Sequence, residues 1–160
     1  MITVKLSSLS LIVYDFDGVM TDNTVIVDQK GNESVIVSRA DGLGISQIKQ
    51  MGIDQIILST EQNTVVNERS QKLGIYCIHG VLDKKTELEY YCTSNQIDPQ
   101  KVIFVGNDIN DNKVMRFVGW PICPKDAHQS IRKISKIILQ SYGGGGVVRE
   151  ILDLIIDDKE

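Results

Sequence analysis

Three carboxylates follow an apolar run near the start of the chain, in the segment YDFDGVMTD at residues 14–22. They are Asp15, Asp17 and Asp22, and they lie within eight residues of one another. Packing in a soluble domain does not explain why a buried strand is followed directly by three negatively charged side chains. A metal ion or a reacting phosphate would give one, because a cation removes the mutual repulsion of the carboxylates.

Polar side chains also follow later apolar runs. Ser59 and Thr60 come at the end of QIILS, Asp108 and Asp111 follow KVIFVG, and Lys84 comes where the segment GVLD turns into a helix. In a doubly wound sheet, ligands bind beyond the carboxyl ends of the strands. We therefore expect these side chains at the same edge as the acidic segment, where hard oxygen ligands suit Mg²⁺ beside a phosphate.

Together these residue types predict phosphoryl transfer. One carboxylate can attack a phosphoryl group and form an aspartyl phosphate, and an acid two residues further on can protonate the leaving oxygen and then activate water. The hydroxyl and the ammonium hold the transferring oxygens and offset their charge. Taken singly, Asp22 or Asp111 would more often be a helix N-cap and Lys84 a solvated side chain. Only the joint arrangement carries the prediction.

The elements that must position these residues alternate between strands and helices. Four short, β-branched runs are predicted strands: LIVYDF (11–16), QIILS (55–59), IYCI (75–78) and KVIFV (101–105). Such runs suit strands covered on both faces, and the amphipathic segments between them end at predicted C-caps such as Gly52 and Gly74. We therefore predict an α/β fold, a three-layer sandwich with a parallel central sheet.

Two segments break the alternation. The segment TVIVDQKGNESVIVS (24–38) has two β runs around Gly31 and Asn32 and predicts a β-hairpin inserted after the first strand. The segment YGGGGVVRE (142–150) is the low-complexity patch of the chain, either a flexible hinge or a backbone that passes close to a ligand. Without a linker or a repeat, residues 1–160 are predicted to form a single domain.

Composition excludes several classes of protein. With 17 Lys and Arg against 21 Asp and Glu, the net charge is −4, and no basic face indicates a nucleic-acid partner. Cys77, Cys92 and Cys123 have no metal-ligand spacing with His79 or His128, which predicts free thiols in a reducing compartment. The N-terminus has the pattern of neither a signal peptide nor a membrane span. We therefore expect a cytoplasmic protein with no membrane partner.

The motifs resemble those of the haloacid dehalogenase (HAD) phosphohydrolase superfamily. DFDGVMTD is similar to its first motif, LST to its second, the Lys of LDK to its third and GNDIND to its fourth. The form D-x-D-G-V-x-T-D followed by a hairpin resembles the branch of capless phosphatases that act on 3-deoxy-2-keto sugar acid phosphates. That branch includes 3-deoxy-D-manno-octulosonate 8-phosphate phosphatases, nonulosonate 9-phosphate phosphatases and the C-terminal domain of some acylneuraminate cytidylyltransferases. The similarity runs from Leu9 to about Leu154 and implies a Rossmann-like sandwich with no cap domain.

The resemblance implies a role for each motif residue. Asp15 would be the nucleophile and Asp17 the general acid and base, whose backbone carbonyl also reaches Mg²⁺. Ser59, or Thr60 in its place, would bind the phosphate together with Lys84, or with the adjacent Lys85 in its place.

The fourth motif departs from the family pattern, because Asn107 stands where a metal-binding Asp is usual. An amide oxygen can still coordinate Mg²⁺, but the site loses one negative charge, and Asp108 or Asp111 would take over part of the role. The implied metal ligands are Asp15, Asp17, Asn107 and Asp108, with Asp111 supporting them. Similar GND variants occur among the sialate-linked members, which favours a nonulosonate substrate.

Three further residues are candidates to select the substrate. Glu61 in LSTEQN stands where the octulosonate phosphatases are expected to carry an Arg, which could pair with the sugar carboxylate. Glu61 would instead accept hydrogen bonds from hydroxyls, as in the nine-carbon members that the chain resembles. Arg69 and Lys72 on the following helix could meet the substrate carboxylate, across a subunit boundary. The alternative is that all three lie on a solvated helix face.

The resemblance also implies a homotetramer, with the hairpins at the centre and a neighbouring subunit covering each active site. A capless site must exclude water in some way, so the neighbouring subunit would act as the lid. The segment 142–150 would be a mobile closing strap.

Two other functions compete with the phosphatase. The first is a non-catalytic oligomerising module associated with an acylneuraminate cytidylyltransferase, in which Asn107 would mark lost catalysis. Against it, Asp15, Asp17, Ser59 and Lys84 are all present. The second is a phosphoacceptor receiver domain, but a receiver carries its acceptor Asp after a middle strand and has no acid two residues later.

Overall fold

A parallel β-sheet forms the centre of the protein, in a computed structural model that describes residues 3–156. Its six strands are β2 (Leu11–Tyr14), β5 (Asp54–Leu58), β6 (Tyr76–Ile78), β7 (Val102–Val105), β8 (Trp120–Cys123) and β9 (Ile137–Ile138). Their spatial order is β6-β5-β2-β7-β8-β9, and each neighbouring pair is parallel. A separate parallel pair joins β1 (Val4–Lys5) to β10 (Ile155–Ile156). The predicted sheet is confirmed, and β8 and β9 extend it beyond the four strands that the sequence predicts.

Helices cover both faces of this sheet. They are α1 (Arg39–Gln50), α2 (Val65–Leu73), α3 (Lys84–Ser94), α4 (Asn112–Phe117), α5 (Gln129–Arg132) and α6 (Val147–Leu154). Ile48 of α1 and Ile151 of α6 are buried in one core, and Leu88 of α3 and Val114 of α4 are buried in a second. The predicted three-layer sandwich is therefore confirmed. Within residues 3–156, none of these helices combines the length and the apolar character that a membrane span requires.

Strand β2 runs through the middle of the sheet and sets the position of the acidic segment. Alternate side chains of β2 enter the two cores, as the two-residue period of a strand requires: Ile12 and Tyr14 on one side, Leu11 and Val13 on the other. Tyr14 pairs with Ile57 of β5 and with Val105 of β7. The carboxyl ends of the three central strands therefore coincide, and the loops that follow them meet at one edge.

The predicted hairpin lies between β2 and α1. It consists of β3 (Ile26–Val27) and β4 (Glu33–Ser34), which pair antiparallel. The turn is held by Asp28, whose Oδ1 accepts hydrogen bonds from the backbone N–H groups of Lys30 and Asn32. Only two residues in each strand pair, so the ladder is shorter than the β runs of the sequence, and its apolar residues are exposed.

The Gly-rich segment packs against the acidic segment. A Cβ on Gly143 would lie 2.3 Å from the carbonyl oxygen of Gly18, and a Cβ on Gly144 would lie 2.7 Å from the backbone nitrogen of Asp22. The Gly144 N–H donates to the Val19 carbonyl oxygen at 3.0 Å. The glycines are thus explained by a close approach between two backbones of the chain, whereas the sequence suggested a hinge or an approach to a ligand. The role as a closing strap stays a prediction.

Candidate active site

Asp15 follows β2 directly and is held from two directions. It is 5% exposed, and its backbone N–H donates to the Val105 carbonyl oxygen at 2.9 Å. Its Oδ1 accepts from the Phe16 N–H at 2.8 Å and from Lys84 Nζ at 2.7 Å. With Oδ1 fixed in this way, the orientation of the carboxylate is set and Oδ2 is turned toward Asn107.

Lys84 connects three of the sequence motifs. It is the first residue of α3, and the Asp83 side chain caps that helix by accepting from the N–H groups of Lys85 and Thr86. The Lys84 ammonium is buried and lies 2.7 Å from Asp15 Oδ1 and 2.6 Å from Asp111 Oδ1. Burial alone would lower the pKa of Lys84, but the two carboxylates raise it above its usual value. The lysine is therefore held as a cation between two acids.

Asp111 supports the loop of the fourth motif from behind. It is fully buried, and its Oδ2 accepts from the backbone N–H groups of Asn107 at 2.9 Å and Asp108 at 3.3 Å. A Cβ on Gly106 would lie 2.8 Å from the Asp111 side chain, so this approach requires glycine. Asp111 thus holds the backbone of the fourth motif, and its support of a metal site stays a prediction.

Asp15, Asp17 and Asn107 each bring one oxygen atom to a small cluster. Asn107 Oδ1 lies 2.9 Å from the Asp17 carbonyl oxygen and 3.0 Å from Asp15 Oδ2. Neighbouring ligands of an octahedral Mg²⁺ are about 2.9 Å apart, because each Mg–O distance is about 2.0–2.1 Å. The cluster therefore fits a small divalent cation. With the amide turned over, Asn107 Nδ2 would instead donate to both oxygens.

Only one of the three oxygens belongs to a carboxylate. One of the three oxygens is a backbone carbonyl and one belongs to an amide, and residues 3–156 contain no group of three or more His, Cys, Asp or Glu that could hold a metal. Asp108 is half-buried nearby, where its Oδ1 accepts from the Ile109 N–H at 2.7 Å. A search for acidic or His and Cys clusters alone would therefore miss this site.

Burial and like charges raise the pKa values of both acids of the first motif. The pKa of Asp15 is raised to about 7, chiefly by burial and then by the charge of Asp111, against the opposing effect of Lys84. The pKa of Asp17 is raised by burial, by Glu61 and by Glu33. A carboxylic acid with a raised pKa can donate a proton near neutral pH, and a bound cation would favour the ionised form of Asp15.

A cavity of about 120 Å³ lies over these groups. Its lining residues are all polar: Asp15, Asp17, Asn23, Thr60, Asn107, Asp108 and Asn110. Thr60 reaches the cavity directly. Ser59 is 1% exposed, and its Oγ accepts from the Glu61 N–H at 3.1 Å. Of the two predicted hydroxyl residues, Thr60 therefore lines the cavity, and Ser59 is its buried neighbour in the chain.

Two larger cavities flank this central one. The first, of about 290 Å³, shares Asp17 and Asn23 with it and reaches the hairpin. The second, of about 230 Å³, shares Thr60 and Asn110 with it and includes Lys84. A further cavity of about 280 Å³, lined in part by Asp54 and Tyr76, lies at the amino ends of β5 and β6, away from the acidic segment.

The structure brings one of the three substrate candidates to the site. Glu61 lines the 290 Å³ cavity, and its Oε1 accepts from the Asn63 N–H at 2.7 Å. Arg69 Nη2 donates to the Ser38 carbonyl oxygen at 2.9 Å, and Lys72 is exposed in the last turn of α2. Neither of these two residues lines any of the four cavities. Within one chain, therefore, Glu61 is the one of the three that lines a cavity at the site, and contact of Arg69 and Lys72 with the substrate across a subunit boundary stays a prediction.

The sequence did not single out several residues that line the cavities, among them Asn23 and Glu33. Asn23 follows the first motif directly and lines both the central cavity and the 290 Å³ cavity. Glu33 belongs to the hairpin and lines the 290 Å³ cavity. Asn23 could have been identified from its position next to the motif. Glu33 could not, because it is one of many acids of the chain and its place at the cavity depends on how the hairpin folds back.

Comparisons with known proteins identify a matching family and similar chains. A family model described as haloacid dehalogenase-like hydrolase matches residues 21–151. The chain is 29% identical over 153 residues to the 3-deoxy-D-manno-octulosonate 8-phosphate phosphatase KdsC of Yersinia pestis, covering 95% of this chain and 82% of that protein.

Solved structures are similar over almost the same length. A HAD family protein of Streptomyces avermitilis superimposes with a TM-score of 0.94 at 40% identity, covering 96% of this chain and 88% of that one. The 3-deoxy-D-manno-octulosonate 8-phosphate phosphatase of Moraxella catarrhalis, in complex with magnesium, phosphate and KDO, gives a TM-score of 0.89 at 31% identity. This match covers 93% of this chain and 86% of that one.

Proposed function

The chain belongs to the haloacid dehalogenase-like hydrolases, and we propose that it is a metal-dependent phosphatase of 3-deoxy-2-keto sugar acid phosphates. One observation carries the proposal. The Asp15 carboxylate, the Asp17 carbonyl and the Asn107 amide converge at one wall of the 120 Å³ cavity, beside the buried ammonium of Lys84. Similar chains are named as phosphatases of an eight-carbon sugar acid of this class.

The three converging oxygens would hold the metal, with Mg²⁺ as the expected ion and Asp108 as a further ligand. When bound, a divalent ion supplies positive charge that offsets the charge of the phosphoryl oxygens. The oxygen spacing of about 3 Å in the cluster supports this assignment.

Asp15 would act as the nucleophile. Lys84 and the Phe16 N–H both bind its Oδ1 and its Oδ2 belongs to the oxygen cluster, so the carboxylate is fixed in the position from which it would attack phosphorus. The attack forms an aspartyl phosphate on Asp15 and breaks the bond from phosphorus to the ester oxygen. Thr60 and Ser59 would donate to the phosphoryl oxygens, and Lys84 would offset their charge.

Asp17 would move the protons. Asp17 lines both the central cavity and the 290 Å³ cavity. With the phosphate in the central cavity and the leaving group in the larger one, Asp17 would lie next to the oxygen that joins them. In the first step Asp17 gives its proton to the leaving oxygen. In the second it takes a proton from the water that hydrolyses the aspartyl phosphate.

Within the substrate class we propose a preference for a nonulosonate 9-phosphate over octulosonate 8-phosphate. Glu61 supports it, because this residue lines the cavity beside the phosphate site, where its carboxylate accepts from hydroxyls and repels a sugar carboxylate. The names of the similar phosphatases, taken alone, favour the eight-carbon substrate. The two substrates therefore have to be compared directly.

The test measures kcat/KM for both sugar acid phosphates in the presence of Mg²⁺, for the wild type and for Glu61→Arg. We expect the nine-carbon substrate to be favoured, and Glu61→Arg to narrow or reverse the ratio. Glu68→Arg, an exposed change on α2 outside the cavities, is the matched control and should leave the ratio unchanged. A wild-type preference for the eight-carbon substrate would contradict the proposed preference, and an absence of turnover on every phosphate ester would favour the non-catalytic module.

A further inference from the structure

The hairpin contributes a carboxylate to the cavity next to the phosphate site. Glu33 is the first residue of β4, and it lines the 290 Å³ cavity together with Asp17 and Glu61. Asp17 and Asn23 line this cavity and the central one alike. A group that is bonded to a phosphate in the central cavity can therefore extend toward Glu33.

Asn63 fixes one oxygen of each of the two glutamates. Its Nδ2 donates to Glu33 Oε2 at 3.1 Å, and its backbone N–H donates to Glu61 Oε1 at 2.7 Å. Its own Oδ1 accepts from the Val65 N–H at the start of α2. The amide thus ties the hairpin to the loop of the second motif and sets the orientation of both carboxylates.

The other oxygen of each glutamate stays available. Glu33 Oε1 and Glu61 Oε2 accept no hydrogen bond from the part of the chain that the structure describes. An ionised carboxylate oxygen is a strong acceptor, so each of these atoms can accept from a hydroxyl group of a ligand.

The remaining walls define what kind of group fits. No Lys or Arg of residues 3–156 lines this cavity, whose wall carries the two glutamates Glu33 and Glu61 together with Asp17. Such a cavity repels a carboxylate or a second phosphate. Val25, Val35 and Val65 add an apolar surface that can pack against the C–H groups of a sugar. The cavity therefore suits the uncharged, hydroxyl-rich part of a sugar phosphate.

We infer that Glu33 is a specificity-determining residue, which accepts hydrogen bonds from the hydroxyl groups of the sugar while the sugar carboxylate lies outside this cavity. The inference rests on the proposed function and deepens it. The hairpin would then help to select the substrate at the active site of its own chain, in addition to any contact that it makes with other subunits.

The test compares KM and kcat for three phosphate esters: the sugar acid phosphate, a neutral hexose 6-phosphate and p-nitrophenyl phosphate, which has no hydroxyl groups on its leaving group. Glu33→Ala should raise KM for both sugar phosphates by about tenfold or more, the size expected for a lost hydrogen bond to a charged group. KM for p-nitrophenyl phosphate should change less than about twofold. Glu33→Gln keeps an acceptor oxygen and should recover part of the loss.

Glu68→Ala removes an exposed carboxylate that lines none of the cavities, and as the matched control it should change none of these constants. An unchanged KM for the sugar phosphates in Glu33→Ala overturns the inference, and so does an equal loss on p-nitrophenyl phosphate. Turnover of the neutral sugar phosphate without turnover of the sugar acid phosphate contradicts the proposed substrate class. In that case the inference about Glu33 is still decided by the effect of Glu33→Ala on KM for the neutral sugar phosphate. A protein that is inactive on every ester overturns both.

Discussion

At Lys84 the first, third and fourth motifs meet in a single ammonium group. Its two partners, Asp15 and Asp111, have different tasks, since Asp15 faces the cavity and Asp111 holds the backbone of the fourth motif. Removal of one member of a buried ionic group leaves an uncompensated charge, which costs on the order of 3–5 kcal/mol. A variant of Lys84 would therefore lose stability together with activity, so it is a poor probe of the chemistry.

Asn107 is a sharper probe at the same scale. Asn107→Asp adds a negative charge to the oxygen cluster with Asp15 and the Asp17 carbonyl, so a divalent cation should bind more tightly. We expect the Mg²⁺ concentration for half-maximal activity to fall by about tenfold, which corresponds to about 1.4 kcal/mol. The measurement is activity against Mg²⁺ concentration at fixed substrate.

Asn110→Asp is the matched control, because Asn110 lines the same cavity without joining the oxygen cluster. This variant adds the same negative charge to the cavity, so it tests whether charge alone lowers the Mg²⁺ concentration for half-maximal activity. An unchanged or higher Mg²⁺ requirement in Asn107→Asp would show that Asn107 is not a ligand.

Among the elements, α1 and α6 are joined by a buried acid. Asp41 of α1 is 1% exposed, and its Oδ1 accepts from the Val148 N–H at 3.0 Å in the first turn of α6. No side chain caps α6 at Gly146, so Asp41 satisfies this helix end from outside it. Burial raises the pKa of Asp41 to about 6, against the lowering effects of the Val148 and Arg149 N–H groups and of Arg69.

This shift makes stability depend on pH. The folded-state pKa lies above the usual value of 3.8, so the native state binds the proton more tightly than the unfolded state does. The ionised form therefore costs stability above about pH 6, and the cost vanishes as the pH falls below 3.8. Asp41→Asn keeps the acceptor for Val148 and should raise the free energy of unfolding at pH 7.5 by about 2 kcal/mol.

Denaturant unfolding at pH 7.5 and near pH 4 measures this difference, which should shrink at the lower pH. Asp126→Asn is the matched control, because Asp126 also accepts a backbone N–H, from Gly143, but is exposed to water. Its stability should not rise at pH 7.5. A loss of stability in Asp41→Asn at pH 7.5 would show that the carboxylate charge is needed there.

The sequence was informative wherever a strand end fixed the position of a side chain. Asp15, Thr60 and Asp108 come after parallel strands in register and line the same cavity, so their meeting could be predicted from the order of the elements. The direction of a side chain on a helix face was not fixed in this way, and Arg69 turns to the Ser38 carbonyl. Glu33 could not be predicted either, because its place depends on how the hairpin folds back onto α2.

At the scale of the whole molecule, the hairpin exposes an apolar surface. Val25, Ile26 and Val27 are 48%, 62% and 58% exposed, and Ile36 is 69% exposed. A two-stranded ribbon alone is marginally stable in water, so contact with other subunits would stabilise it. We predict a homotetramer in which a neighbouring subunit covers each site.

Light scattering should give about four times the chain mass of 17.8 kDa. Ile26→Lys places a charge on the apolar surface and should lower the mass, whereas Tyr90→Lys, at a 70% exposed position on α3, should leave it unchanged. A fully active monomer at micromolar concentration would contradict both the assembly and the role of the neighbouring subunit as a lid.

The central claim is that Asp15 attacks the phosphate, and the turnover of Asp15→Asn tests it most directly. The measurement is kcat on a 3-deoxy-2-keto sugar acid phosphate with Mg²⁺, after circular dichroism has shown that the variant is folded. Asp22→Asn is the matched control, since Asp22 belongs to the same acidic segment but is exposed and lines none of the cavities. We predict that Asp15→Asn lowers kcat by on the order of a thousandfold or more while Asp22→Asn keeps it. Turnover of Asp15→Asn close to that of the wild type would contradict the account.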